Sequence, residues 1–398
     1  MSTTTPAPAA KRLTNGTIFA HLDFVITGVV MTMLGPLLPI LAARWSLNDT
    51  QAGNLFLAQY VSSIGGMLSS GLMVRRFGYR MTLILGATLM TVGVSLLGGG
   101  GRTLGLAGIC VLGFGFGMTT PACNLFVSDA MPQKRASALN LLNSSWGVGA
   151  MASPIIVGAV QRVHHIATFF YVLAASLAIL VLALASFRFV ADENRRIRSS
   201  NANQLAPWNK KFFALIAVMF FIYVGSETAV GGWVASYAQR ILPGAPSSSW
   251  AMMPSFFYGT LLIGRALAPV ALRFAREVRV AAIGMALAVI GVLILVTSTS
   301  MAAVIAGSSI AGLGFSTVFP IQVSLLPRWF GDRVDSVSGF LFAIGNFGGG
   351  TLPWLVGALS THFSNLRVGF AVPMLGAATL MAFYGTQGRI PASERRPA

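Results

Sequence analysis

Apolar stretches of helix length alternate with short polar breaks along almost the whole chain. They cover 16–43, 51–74, 79–98, 102–128, 136–160 and 165–190, then 210–239, 247–272, 278–297, 300–327, 334–361 and 365–387. Each matches the roughly 20 residues that cross a hydrocarbon core once. Lipid offers a backbone no hydrogen bonds, so the pattern predicts helices, in which glycine and proline are ordinary. The polar stretch 191–209 is the one long interruption. The expected architecture is therefore an all-α membrane protein of twelve transmembrane helices in two pseudo-symmetric bundles, 16–190 and 210–388, joined by a cytoplasmic linker over 191–209. Residues 1–15 lack the apolar core of a signal peptide and read as a disordered tail. Residues 389–398 read as a second tail.

The halves repeat. At an offset of 199, Gly113, Gly115, Phe116 and Pro121 fall on Gly312, Gly314, Phe315 and Pro320, and Ser137, Leu142, Gly149, Pro154 and Gly158 fall on Ser336, Leu341, Gly348, Pro353 and Gly357. At an offset of 198, Tyr60, Gly66 and Arg75 meet Tyr258, Gly264 and Arg273. Shared small residues imply shared close helix packing. Parallel six-helix repeats are the arrangement of rocker transporters with a midplane site.

Composition agrees. The chain is 55% hydrophobic and 9% charged, where a soluble domain carries about a quarter charged residues. The net charge of +17 argues for orientation rather than for nucleic acid. With a cytoplasmic N-terminus, only Arg44, Arg102, Arg162, Arg240 and Arg367 fall on outward loops and only Arg265 inside a span; the rest of the 27 lysines and arginines face inward. That asymmetry follows the positive-inside rule and predicts both termini in the cytoplasm of a plasma (inner) membrane protein.

Against this background the charged residues within spans are the candidate chemistry. A carboxylate at lipid depth costs roughly 2.5–3.5 kcal/mol on insertion scales, and Asp23 and Glu227 both lie inside spans. Glu227 shares a helical face with Tyr223 and lies roughly 24 Å along its helix from Lys211 at about 1.5 Å per residue, near the midplane. It is the first candidate for cation coupling; Ser226 and Thr228 add oxygens suited to sodium. Asp23, with Thr27 on its face, reads as a second coupling acid, an interfacial group or the partner of Arg265. Arg265 reads as a gating residue that snorkels or caps a carboxylate.

A sugar site needs amides, hydroxyls and an aromatic cover. The candidates are Asn124 with Thr120, Asn143 with Asn140, Gln322 with Phe319, Asn346, Tyr223, Tyr60, Trp233 and Trp354; amides bonding between helices are the alternative. Cys110 and Cys123 lie roughly 20 Å apart on one helix, too far for a disulfide. The four histidines show no metal-ligand spacing, Gly98–Gly101 lacks the Lys of a phosphate loop, and no nucleophile–base set appears. No cofactor, metal or enzymatic activity is expected.

The segment Gly71–Arg80, with Arg75, Arg76, Gly78 and Arg80, resembles the signature loop of the major facilitator superfamily, with Arg75 where the usual Asp stands. Pro121–Val127 followed by Ala138–Ser144, the run Leu34–Pro39, and Tyr223–Trp233 around Glu227 resemble the fucose–galactose–glucose:cation symporter family, the last in its sodium-dependent glucose branch. The acids of the fucose branch are replaced by Gly35 and Thr120. The resemblance implies a monomeric proton- or sodium-coupled hexose symporter working by alternating access, with Arg75 and Arg76 as gating residues and a cavity lined by the first, fourth, seventh and tenth helices, favouring Asn124 and Gln322. A drug or metabolite:proton antiporter of the same superfamily and a non-transporting membrane sensor are the alternatives.

Overall fold

The computed structural model of the chain describes residues 8–161, 166–186, 210–330 and 334–387. Among them every regular element is helical. α1 (Pro8–Thr32) and α2 (Leu34–Arg44) form the first apolar stretch, interrupted at Met33. Pro36 accounts for the break, since it has no N–H for the Thr32 carbonyl four residues back. α3 (Asp49–Gly98) runs 50 residues, far longer than one span, and turns at Gly78, whose φ of 81° favours glycine. Then follow α4 (Arg102–Ala130), α5 (Arg135–Gln161), α6 (Ile166–Ser186), α7 (Lys210–Ile241), α8 (Ser247–Ala251), α9 (Met253–Phe274), α10 (Glu277–Thr297), α11 (Met301–Phe315), α12 (Val318–Phe330), α13 (Val334–Phe363), α14 (Leu366–Gly369) and α15 (Ala371–Gln387).

Ten helical stretches among the described residues are long and apolar enough to cross a membrane. The expected twelve differ from these ten in two places. α3 counts as one stretch although it is two helices meeting at the Gly78 kink, as expected, and α5, which carries Asn140, Asn143, Ser144 and Ser145, is not among the ten. α1 begins at Pro8, within the segment expected to be a disordered tail; Ala9, Ala10, Lys11, Arg12 and Leu13 are all good helix formers. Residues 1–7, the linker 191–209 and the tail 389–398 lie outside the described residues.

The described chain divides into two compact units. The first holds the residues up to Met31, Ala58–Ser153 and α6; the second holds Thr32–Leu57, 154–161 and everything from Lys210 onward. The repeat seen in sequence recurs as packing inside each unit. In the first, Gly86 faces the Gly115 backbone and Gly93 faces that of Gly108. In the second, Gly284 faces Gly314 and Gly291 faces Gly307. A side-chain carbon at any of these positions would meet the neighbouring backbone, so glycine sets the helix separation. The repeat-related prolines differ in effect. α4 runs unbroken through Pro121, whereas at Pro320 the chain divides into α11 and α12 around Ser316 and Thr317.

Candidate functional site

In the first unit α5 lies hard against α1. A side-chain carbon on Gly149 would strike the Val25 carbonyl, and one on Gly28 would strike that of Trp146. Ser153 adds a hydrogen bond to the Val29 carbonyl at 3.2 Å. This contact, with α4 on the other side, buries Asp23 completely. The Cys123 thiol donates to Asp23 Oδ2 at 3.3 Å, and Oδ1 has no partner. Thr27, expected beside Asp23, donates instead to the Phe24 carbonyl at 3.0 Å. His21 places Nδ1 2.8 Å from Ser145 Oγ.

Asn124 and Asn143, on α4 and α5, are half-buried. Each donates one amide N–H to its own helix, to the Thr120 carbonyl at 2.9 Å and the Leu139 carbonyl at 2.8 Å. Thr120 donates to the Phe116 carbonyl at 3.0 Å. Tyr60 is half-buried on α3. Arg75 and Arg76 are exposed near Gly78; the Arg76 guanidinium lies over the Phe77 ring at 5.3 Å.

In the second unit the charged cluster joins α7 to α9. Arg265 Nη2 lies 3.4 Å from Glu227 Oε1, and each side chain is only 13% exposed. Tyr223, one turn before Glu227, lies beside both groups and donates its hydroxyl to the Phe315 carbonyl, at the end of α11, at 2.9 Å. Gly264 admits Ser316 against α9, which brings α11 close. Arg265 Nε is buried without a partner. Arg265 is therefore the counter-ion of Glu227, and the alternative that it partners Asp23 does not hold. Ser226 points at Gly376 on α15, and Thr228 donates to the Val224 carbonyl at 2.8 Å.

The remaining candidates are dispersed. Gln322 on α12 is fully buried with neither amide atom bonded; the Tyr384 hydroxyl lies beside it without closing a hydrogen bond. Asn346 donates to the Phe342 carbonyl at 2.9 Å. Trp233 is packed in the core, its Nε1 donating to the Pro353 carbonyl at 2.8 Å and its ring 6.4 Å from that of Phe56.

Three sets of groups escaped the sequence reading. Asp49, at the start of α3, receives Arg240 Nη1 at 2.8 Å and Nη2 at 2.5 Å, and also the Ser360 hydroxyl. Thr361 Oγ1 accepts the Thr50 N–H at 2.9 Å. Glycines seal the same end: Gly35 meets the Gly231 carbonyl, Gly53 meets the Trp354 backbone, and Gly357 meets the Asp49 carbonyl. A cavity of about 210 Å³ beside this latch is lined by Asp49, Trp233, Ser236, Gln239 and Arg240. A signal existed, since Asp49 is the lone acid on the predicted outward loops and faced a short list of outward arginines. Cys123, read as a packing residue, is the partner of Asp23. Tyr384 is the neighbour of Gln322, and no spacing links them.

Comparison with known proteins fits this architecture. The family model "Major Facilitator Superfamily" matches residues 24–270. The chain is 25% identical over 384 residues to the glucose/galactose transporter of Brucella abortus biovar 1 (strain 9-941), covering 92% of each. It is 22% identical over 358 residues to the glucose/mannose transporter GlcP of Bacillus subtilis (strain 168), covering 85% of this chain and 86% of that one. The fold is similar to the crystal structure of the E. coli fucose:proton symporter FucP, with a TM-score of 0.65 at 20% identity over 95% of this chain and 100% of the other. A chain whose described regular elements are all helical, matched by that family model over more than half its length, belongs to the Major Facilitator Superfamily.

Proposed function

We propose that the protein is a hexose transporter driven by cation movement, working by alternating access as a monomer of twelve spans in two six-helix bundles. Counting α3 as two spans and α5 as one raises the ten apolar stretches to twelve. The charge asymmetry supports cytoplasmic termini in a plasma membrane, with the Asp49 latch on the outer side. The observation that carries the reading is the near-full-length likeness to glucose/galactose and glucose/mannose transporters in a chain that keeps two carboxylates inside its spans.

The side chains suit these roles. Asn124 and Asn143 are half-buried and use an amide N–H on their own helices, which leaves their carboxamide oxygens as acceptors suited to sugar hydroxyls. Gln322 is a further unsatisfied amide. Arg265, with a spare buried Nε, can hold Glu227 and still donate to an incoming hydroxyl. Outward opening requires the Asp49–Arg240–Ser360 latch to part, and closing reforms it. Trp233 serves the closed end as a packing anchor.

Uptake into proteoliposomes under an imposed pH or sodium gradient tests the reading. Accumulation of glucose, galactose or mannose is expected. No uptake of any of the three under either gradient removes the hexose reading. Protection of cells against toxic compounds would favour an antiporter instead.

A further inference from the structure

We infer that the bend of α3 is a binding site for an anionic phospholipid of the cytoplasmic leaflet, with the phosphate held by Arg75 and Arg76 and one acyl chain laid in the groove between the two limbs; this rests on the membrane orientation proposed above and not on the hexose reading. Gly78, at φ 81° and ψ 173°, turns the chain. A groove of about 240 Å³ lies at the turn. Met73 and Phe77 line it from the incoming limb, and Met81, Ile84, Leu85 and Thr88 from the outgoing one. These residues recur every three or four positions on each limb, so each set is one helical face.

The groove suits a hydrocarbon chain. Its one polar side chain, Thr88, returns its hydroxyl to the Ile84 carbonyl at 2.7 Å and asks nothing of an occupant. Two methionines let the walls adapt to a flexible guest. Thr88 lies ten residues past Gly78, about 15 Å along the helix at 1.5 Å per residue. That is half of the roughly 30 Å hydrocarbon core, so the groove runs from the bend through the depth of one leaflet.

Exposed apolar residues are ordinary on a surface that faces lipid tails, and Leu68 and Leu72 are such residues. What sets the groove apart is the charge at its mouth. The Arg76 guanidinium lies 5.3 Å from the centroid of Phe77, a ring that lines the groove, which fixes a cation at the groove's end. Arg75 is exposed beside it. The third arginine of the bend, Arg80, is committed elsewhere, donating to the Leu184 and Ala185 carbonyls at the end of α6. Asp129 accepts the Tyr79 hydroxyl at 2.5 Å. Among the described residues no acid pairs with Arg75 or Arg76.

Two unpaired guanidinium groups beside an apolar slot match a phosphate that carries a tail. The planar forks meet phosphate oxygens, and the slot takes the chain. Basic residues just cytoplasmic of a span attract anionic lipids. A zwitterionic lipid brings its own cation to the same place and gains less. A lipid seated in this way touches both limbs of α3 and braces the bend.

The test uses the full chain in a mild detergent, offered dioleoyl phosphatidylglycerol or dioleoyl phosphatidylcholine, with bound lipids counted by native mass spectrometry. Wild type should hold phosphatidylglycerol about tenfold more tightly; equal retention of the two overturns the inference. Arg75→Gln combined with Arg76→Gln should bring that preference close to unity, and an unchanged preference also overturns it. A phosphatidylglycerol with a photoreactive diazirine in one acyl chain then locates the site. Labels should concentrate within 73–88 and be displaced by unlabelled phosphatidylglycerol. Labels spread evenly over other helices, or a dimer that shields this stretch from label, sink the assignment. The labelling of wild type needs no variant, so a misfolded double substitution leaves the question decidable. No sugar enters either arm, so failure of the hexose reading and failure of this inference are told apart.

Discussion

The cluster around Asp23 and the cluster around Glu227 are two solutions to one problem, an acid inside an apolar helix. On α7 the charge is kept and met by Arg265 from α9, with Tyr223 beside both. On α1 the described partner of the acid is a cysteine thiol, and glycine-mediated helix contact closes it in. A kept ion pair ties two helices together and resists change.

The comparison is broken or sharpened by changing one partner at a time. The largest effect is expected from Arg265→Met. Removing one member of a buried pair leaves an uncompensated charge and costs about 3–5 kcal/mol, read as a fall in thermal unfolding temperature in detergent. Glu227→Gln added to it should restore most of the loss, and near-wild-type stability of Arg265→Met alone would end the pairing argument. Next comes Gly149→Val. Its side chain would meet the Val25 carbonyl, and overpacking of this kind costs about 1–3 kcal/mol; the same assay checks it.

A smaller loss, on the order of 1 kcal/mol, is expected for Trp233→Phe, which deletes the hydrogen bond to Pro353 and leaves its carbonyl unpaired. Asp49→Asn should change stability least, by about 0–1 kcal/mol, because Arg240 is 45% exposed and water screens the pair. Its readout is conformational: a cysteine placed at Ser236 should react faster with an outside thiol reagent in Asp49→Asn than in its absence. Equal reaction rates would deny the latch a part in closing that end.

Much of the fold was legible because lipid solvation imposes a simple rule on sequence. Apolar length gives spans, and repeated glycines give repeated close contacts; Gly115 and Gly314, matched in register, each meet a glycine partner. The kink near Gly78 was legible as a break between two apolar runs. The breaks within helices were not. Pro121 and Pro320 look alike in sequence, yet α4 stays continuous and α11 and α12 separate, because packing around a proline decides whether the freed carbonyl is tolerated.

The candidate site divides the same way. Asp23, Glu227 and Arg265 stood out by themselves, since charge within an apolar run is rare enough to announce itself. Their partners did not, because helix rotation and crossing set which faces meet. Sequence alone allowed Arg265 to pair with either acid, and only tertiary structure joined it to Glu227. The same holds for Asp49 and Arg240, separated by 191 residues, and for Cys123, a residue with no charge to mark it. Membrane class, helical architecture, internal repeat and the positions of the rare charges were determined by the sequence, because each follows from the local cost of placing a residue in lipid. Which acid meets a cation, which meets a thiol and which end is latched were decided by tertiary structure, because those depend on distances between helices that no single helix encodes.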